Sequence, residues 1–173
     1  MAQRQSGYVR RPRDDYSTPQ WVVDELFQRE TFPLPIWEPC PGEGRMVKGI
    51  AAHVGLDYVF WSYDDFFQDH SDVHSIITNP PFKDGQSFVQ HALNRTKNLR
   101  GKVAMLLPNG FDCAKGKKRR ALFSDEAPFK VKYVLTQRIR WENLEQKKNG
   151  PSNNHAWYVW DWAYGEEPRI WWI

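Results

Sequence analysis

Cysteine is nearly missing from this 173-residue chain: there are two, Cys40 and Cys113, far apart and outside any paired-ligand spacing. That excludes a disulfide framework and a cysteine zinc site, and it fits a reducing compartment. No apolar run approaches the length of a membrane span, and the opening stretch MAQRQSGYVRRPRDDYSTP carries arginines but no apolar core. Neither a transmembrane segment nor a secretory leader is therefore expected, and the expected location is cytoplasmic. Two nucleotide motifs are missing as well. The dinucleotide fingerprint needs a third glycine where Val47 stands, and a P-loop needs Gly-Lys followed by Ser or Thr, whereas Lys48 is followed by Gly49. There is no G-x-S-x-G and no Cys/His arrangement suggestive of a nucleophile. His70 and His74 have the i, i+4 spacing of a helical metal pair, but no third ligand stands in an obvious place, so no metal is expected. Net charge is only +3, with a pI near 8.8, which permits an acidic partner such as nucleic acid without requiring one.

What is present is a core. The chain is 40% hydrophobic and 15% aromatic, with nine tryptophans, which is enough apolar surface for one domain. Residues 1–15 read as a loose, arginine-rich, flexible N-terminal arm and 16–173 as a single domain. In STPQWVVDELFQRE, Thr18 suits a helix cap and Pro19 a first helical position, and Val22, Val23, Leu26 and Phe27 form an apolar stripe, so a helix is expected over 20–30. Ile36 to Glu38 read as a short buried strand entering a glycine turn, and RMVKGIAAHVG as the helix that follows and ends at Gly55. DYVFWSY, HSIIT and KVAMLLP are strand candidates, with a helical stripe in QSFVQHALNR between the last two. Strand and helix alternate as in an α/β fold with a mostly parallel central sheet. The last third changes to strands, FKVKYVLTQRIRW, HAWYVWDW and RIWWI. The final two are close enough across AYGEEP for a C-terminal antiparallel hairpin. The tryptophans of AWYVWDW fit core packing or a subunit contact.

Two segments stand at expected strand ends, where open parallel sheets bind ligands. Gly42 and Gly44 let backbone amides approach a ligand closely, and the helix starting near Arg45 presents its positive end. Further along, Ile76, Ile77 and Thr78 are strand formers, and Pro80 and Pro81 cannot donate to a sheet ladder, so Asn79 stands where a strand stops.

STP at Ser17–Pro19, EPCPGEG at Glu38–Gly44, DFF at Asp65–Phe67 and NPPF at Asn79–Phe82, in that order, resemble the S-adenosylmethionine-dependent DNA adenine N6-methyltransferases, especially small, solitary, phage-like ones. The resemblance covers most of the chain, since VAMLLP and the terminal WYVW and IWWI look like later strands of that fold. It implies a Rossmann-like class I methyltransferase fold, S-adenosylmethionine as cofactor and adenine in DNA as substrate. Asn79, Pro80, Pro81 and Phe82 would be catalytic: the Asn79 side-chain carbonyl and the Pro80 backbone carbonyl would each accept one N–H of the amine, and Phe82 would stack on the base. Thr18 and Pro19 would lie near the methionine tail; Glu38, Gly42 and Gly44 around methionine and ribose; Asp65 and Phe66 at the adenine. Tyr16, Pro39 and Asn79 complete the implied cofactor set.

This chain departs from the family between its second strand and DFF. YVFWSYDDFFQ compresses two separate elements, so Asp64 is the ribose ligand or that ligand is missing. The basic run KGKKRR, with Lys117, Lys118, Arg119 and Arg120, reads either as a solvated helix face or as a contact to the phosphate backbone, and Arg10, Arg11 and Arg13 divide the same way, while Gln137, Arg138 and Arg140 read either as approaching the substrate or as surface strand residues. Larger relatives carry a separate target-recognition region; here only loops such as ENLEQKKNGPSNN remain to read sequence. That implies low sequence specificity, recognition through a homodimer, or a partner. The alternatives to DNA are adenine in RNA, a protein glutamine, or nucleic-acid binding without catalysis.

Overall fold

A computed structural model describes residues 17–69, 72–141 and 153–173. Among them a seven-stranded sheet runs through the molecule. In chain order the elements are α1 (Gln20–Phe27), β1 (Ile36–Glu38), α2 (Arg45–Val54), β2 (Val59–Trp61), β3 (Ser75–Thr78), α3 (Gly85–Thr96), β4 (Lys102–Pro108), the single turn α4 (Lys117–Arg120), β5 (Phe129–Val134), β6 (His155–Asp161) and β7 (Arg169–Trp172). The strand order is β2-β1-β3-β4-β6-β5-β7.

The near-continuous apolar run of β4 is explained by what lies on its two faces. Ala104 and Leu106 join a cluster with Val22, Val23 and Leu26 of α1 and Met46, Val47 and Ile50 of α2, whereas Val103, Met105 and Leu107 pack with Phe88, Val89, Ala92 and Leu93 of α3. A strand covered on both sides needs apolar residues at every position. Trp157 and Trp160 of β6 lie on opposite faces, each with no exposed surface, and their indole N–H groups donate to the carbonyls of Val22 and Leu122 at 2.8 Å. These tryptophans therefore serve the core.

β1, β2, β3 and β4 are mutually parallel, and β6 runs antiparallel to both β4 and β5. The antiparallel part is thus present, but the last two strands do not form a hairpin. β5 lies between them, and β7 is parallel to β5 at the edge of the sheet. The reason is valence: all seven residues of β6 are buried and both of its edges are occupied by β4 and β5, so β7 cannot join it.

At the N-terminal end of the sheet a buried ionic cluster ties three segments together. Lys102 Nζ lies 2.9 Å from Glu30 Oε2 and 3.2 Å from Asp161 Oδ2, Lys130 reaches the same Glu30 oxygen at 2.8 Å, and Tyr133 donates to Glu30 Oε1 at 2.9 Å. Among the described residues no helix is long and apolar enough to cross a membrane.

Candidate active site

β1 leads through α2 to β2 on one side, and the chain then returns to β3 on the other side of β1. The crevice beyond the C-terminal ends of β1 and β3 is therefore a topological switch point, where connecting loops diverge and leave a cleft. A cavity of about 520 Å³ opens there. Its walls come from Ser17 and Thr18 before α1, Glu38 to Glu43 after β1, Ser62 to Asp64 after β2, and Asn79, Pro81, Lys83 and Asp84 after β3.

The glycine turn is built as its residue types demand. Gly42 and Gly44 have φ of 49° and 77°, a left-handed backbone that residues with a Cβ adopt rarely, and Gly44 donates its N–H to Pro41 O before α2 begins. Ser17 Oγ donates to Glu43 Oε2 at 2.9 Å, strapping the segment before α1 to this turn.

Glu38 ends β1 with no exposed surface. Its Oε1 accepts from Thr78 Oγ1 at 2.6 Å and from Cys40 N at 2.8 Å, which joins the ends of the two neighbouring parallel strands. Its Oε2 is buried at the cavity wall without a hydrogen-bond partner among the described residues. Burial, only partly offset by those two donors, pushes the carboxyl pKa up to about 8. Burial, reinforced by Glu38, also raises the pKa of the Cys40 thiol.

Thr18 does not cap α1. The cap residue is Pro19, and the Thr18 hydroxyl instead accepts from Asn79 Nδ2 at 3.2 Å. After Asn79 the buried Pro80 and the half-buried Pro81 turn the chain into a single 3-10 turn, and the Phe82 ring stands 5.2 Å from His155 and 6.3 Å from Trp141. His155 is buried, and that burial pushes its pKa down to about 4, so the imidazole is neutral at pH 7.

Of the residues singled out from the sequence, Thr18, Glu38, Pro39, Gly42, Asp64, Asn79 and Pro81 share the cavity wall. Gly44 stands just behind it as the α2 cap. The two neighbouring aspartates separate: Asp64 faces the cavity, whereas the Asp65 carboxylate accepts from Phe67 N and caps a local turn. Phe66 is in the core, stacked on Phe88 at 5.0 Å and beside Trp37 at 5.2 Å. Lys117, Lys118 and Arg120 are exposed on α4, but Lys117 and Arg120 share a surface hollow with Asp112, Asp125 and Glu126. Arg119 lies over the Phe111 ring at 4.6 Å, and Arg138 donates to Asn154 at 3.0 Å. Tyr16, Arg10, Arg11, Arg13, His70 and most of ENLEQKKNGPSNN lie outside the described residues. Ser17, Cys40, Tyr63, Lys83 and Asp84 also line the cavity and Thr78 bonds to Glu38; each lies inside a recognised motif or within two residues of one, and that nearness is their one signal in the sequence.

No protein-family model matches the sequence, and no curated protein matches it. Solved structures do share its architecture. The methyltransferase subunit of a type I restriction-modification system from Streptococcus thermophilus superposes with a TM-score of 0.58 over 85% of this chain and 45% of its own length, at 12% identity. A modification subunit assigned to a type I restriction enzyme from Vibrio vulnificus gives 0.60 over 91% of this chain and 46% of its own, at 16% identity. The 23S rRNA methyltransferase ErmE gives 0.50 over 84% and 68%, at 14% identity. The fold is that of a class I methyltransferase. The chain spans less than half the length of those type I subunits, and at such identities the methyltransferase fold is what is shared.

Proposed function

We propose that the chain transfers a methyl group from S-adenosylmethionine to the N6 amine of adenine in DNA. The observation that carries this reading is the meeting, in one cavity, of the glycine turn after β1 with Asn79 and Pro81 after β3.

The residues fit the cofactor. Glu38 offers a buried carboxyl oxygen with no partner at the cavity wall, a place for a polar group of the ligand, and the volume matches a molecule of this size. Glu38, Gly42 and Asp64 would hold it, with Ser17 and Thr18 closing the end nearest α1. When bound it supplies an electrophilic methyl group on a sulfonium.

The protein's task lies with the amine. The nitrogen lone pair of adenine N6 is delocalised into the ring, and no side chain is basic enough to strip its proton outright. Two carbonyl acceptors solve this by geometry: if the Asn79 side chain and the Pro80 backbone each accept one N–H, the nitrogen becomes pyramidal and its lone pair is released. The bond from Asn79 Nδ2 to Thr18 supports this reading, since it fixes the amide plane and with it the direction of the carbonyl oxygen. The prolines hold the segment extended with its carbonyls able to turn inward. Phe82, with His155 and Trp141 behind it, offers an aromatic wall for a base taken out of the duplex. Lys117, Lys118, Arg120 and Arg138 would meet phosphates.

Incubation with radiolabelled cofactor and separate DNA, RNA and protein substrates tests the assignment, with label expected in DNA. Calorimetric binding of S-adenosylmethionine without label transfer to any of them would reduce the chain to a binding protein.

A further inference from the structure

Among the described residues, the outer edge of β7 carries an exposed apolar feature remote from the cavity. Ile170, Trp171 and Trp172 are 50%, 53% and 70% exposed, and the strand lies at the far end of the sheet from β1. Exposed sheet edges are ordinarily blunted by lysine, proline or a bulge because their free backbone groups pair with any suitable strand. Arg-Ile-Trp-Trp has none of these, and its one charged side chain is held by Glu166 at 2.8 Å.

We propose that β7 is a homodimer interface, pairing antiparallel with β7 of a second copy of this chain. The hydrogen bonds to β5 fix the register. Ile173 N donates to Val134 O at 2.9 Å and Ile173 O accepts from Thr136 N at 2.7 Å, so the backbone of Ile173 faces β5. Along a strand these groups alternate sides, so Trp171 also faces β5, and the N–H and C=O of Ile170 and Trp172 point outward. An antiparallel partner must set outward-facing residues opposite each other. Centring the two-fold axis on Trp171 places Ile170 against Trp172 of the other copy twice and uses every outward backbone group. Centring on Ile170 would set Trp172 against Pro168, which has no N–H to give. Centring on Trp172 sets Ile170 opposite a position past the last residue of β7, Trp172, and so leaves it outside the strand pairing.

The chosen register is self-complementary in its side chains as well. Trp171 meets Trp171 of the second copy at a non-hydrogen-bonded position, where side chains approach most closely, and the Ile170–Trp172 pairs are the β-branched and aromatic combination that stabilises cross-strand contacts. No like charges are opposed. Because the cavity lies across β1 and β3, both cavities stay open in this dimer. The contact is short, so its dissociation constant belongs on the order of micromolar rather than among obligate dimers.

Sedimentation velocity of the wild-type chain from about 1 to 100 μM, bracketing that constant, should show a monomer converting to a dimer, and Ile170→Asp should remain monomeric over that range. In a Cys113→Ser background, Trp171→Cys should form a disulfide-linked dimer under mild oxidation, because Cα atoms at a non-hydrogen-bonded pair are spaced for that bond, whereas Trp172→Cys should not. A wild-type chain that is monomeric throughout overturns the proposal and leaves the edge to a different partner. So does a dimer that Ile170→Asp leaves intact and that Trp171→Cys fails to cross-link.

Discussion

Asn79 Nδ2 donates to Thr18 Oγ1 across 3.2 Å, joining residues 61 positions apart at the two sides of the cavity. A hydroxyl that the local sequence would use to cap α1 is used instead to orient the amide at the end of β3. The cap position of helix α1 falls to Pro19, whose side chain accepts no hydrogen bond, so the helix starts without a side-chain cap.

Thr18→Val removes the acceptor while keeping shape. Turnover on DNA should fall about tenfold, the equivalent of one hydrogen bond of roughly 1 to 1.5 kcal/mol, as measured by methyl-transfer rates at saturating cofactor. An unchanged rate would show that amide orientation does not matter.

Asn79→Ala removes the acceptor itself. Turnover should become undetectable while S-adenosylmethionine binds within a small factor of wild type by calorimetry, because the lost contacts strengthen in the transition state. A rate near wild type would rule out the role.

Glu38 makes stability depend on pH. Below pH 4.5, the ordinary value, the carboxyl is protonated in both folded and unfolded chains; between 4.5 and about 8 only the unfolded chain gives up its proton. The folded state therefore loses stability as pH rises through that window. Glu38→Gln, which keeps the neutral shape, should overtake wild type in urea midpoint from pH 5 upward, with the gap widest above pH 8.

His155 acts in the opposite direction. Its pKa falls from 6.5 to about 4 on folding, so between those values the unfolded chain takes up a proton that the folded chain refuses. Stability should decline as pH drops from 6.5 to 4, and His155→Gln should flatten that decline in thermal melts recorded across the range.

Glu30 holds Lys102 and Lys130 at the opposite end of the sheet. Glu30→Ala leaves the buried Lys102 ammonium short of its main partner, at a cost of about 3 to 5 kcal/mol and a melting temperature lower by roughly 10 °C. A calorimetric scan decides it.

Features governed by local chemistry could be read from the sequence. Helix α2 runs between Gly44 and Gly55, β1 covers residues 36–38 as expected, and the apolar run of β4 announced a strand covered on both faces. Features governed by competition could not. β6 and β7 are near in sequence, yet β4 and β5 already occupy both edges of β6. Asp64 and Asp65 are chemically identical neighbours, and only the turn capped by Asp65 decides which faces the cavity. Phe66 fits the pattern of a ligand-stacking residue, but the gap between Trp37 and Phe88 takes its ring into the core. His155 at the head of β6 and Trp141 come beside Phe82 through long-range packing that no local pattern signals.

Methylation of an adenine amine held between Asn79 and Pro80 is open to one direct measurement. Unmethylated DNA incubated with the wild-type chain and S-adenosylmethionine, digested and analysed by nucleoside mass spectrometry, should yield N6-methyladenosine as its deoxynucleoside, and none with Asn79→Ala. Unmodified adenine after incubation with a wild-type chain that binds the cofactor would contradict it.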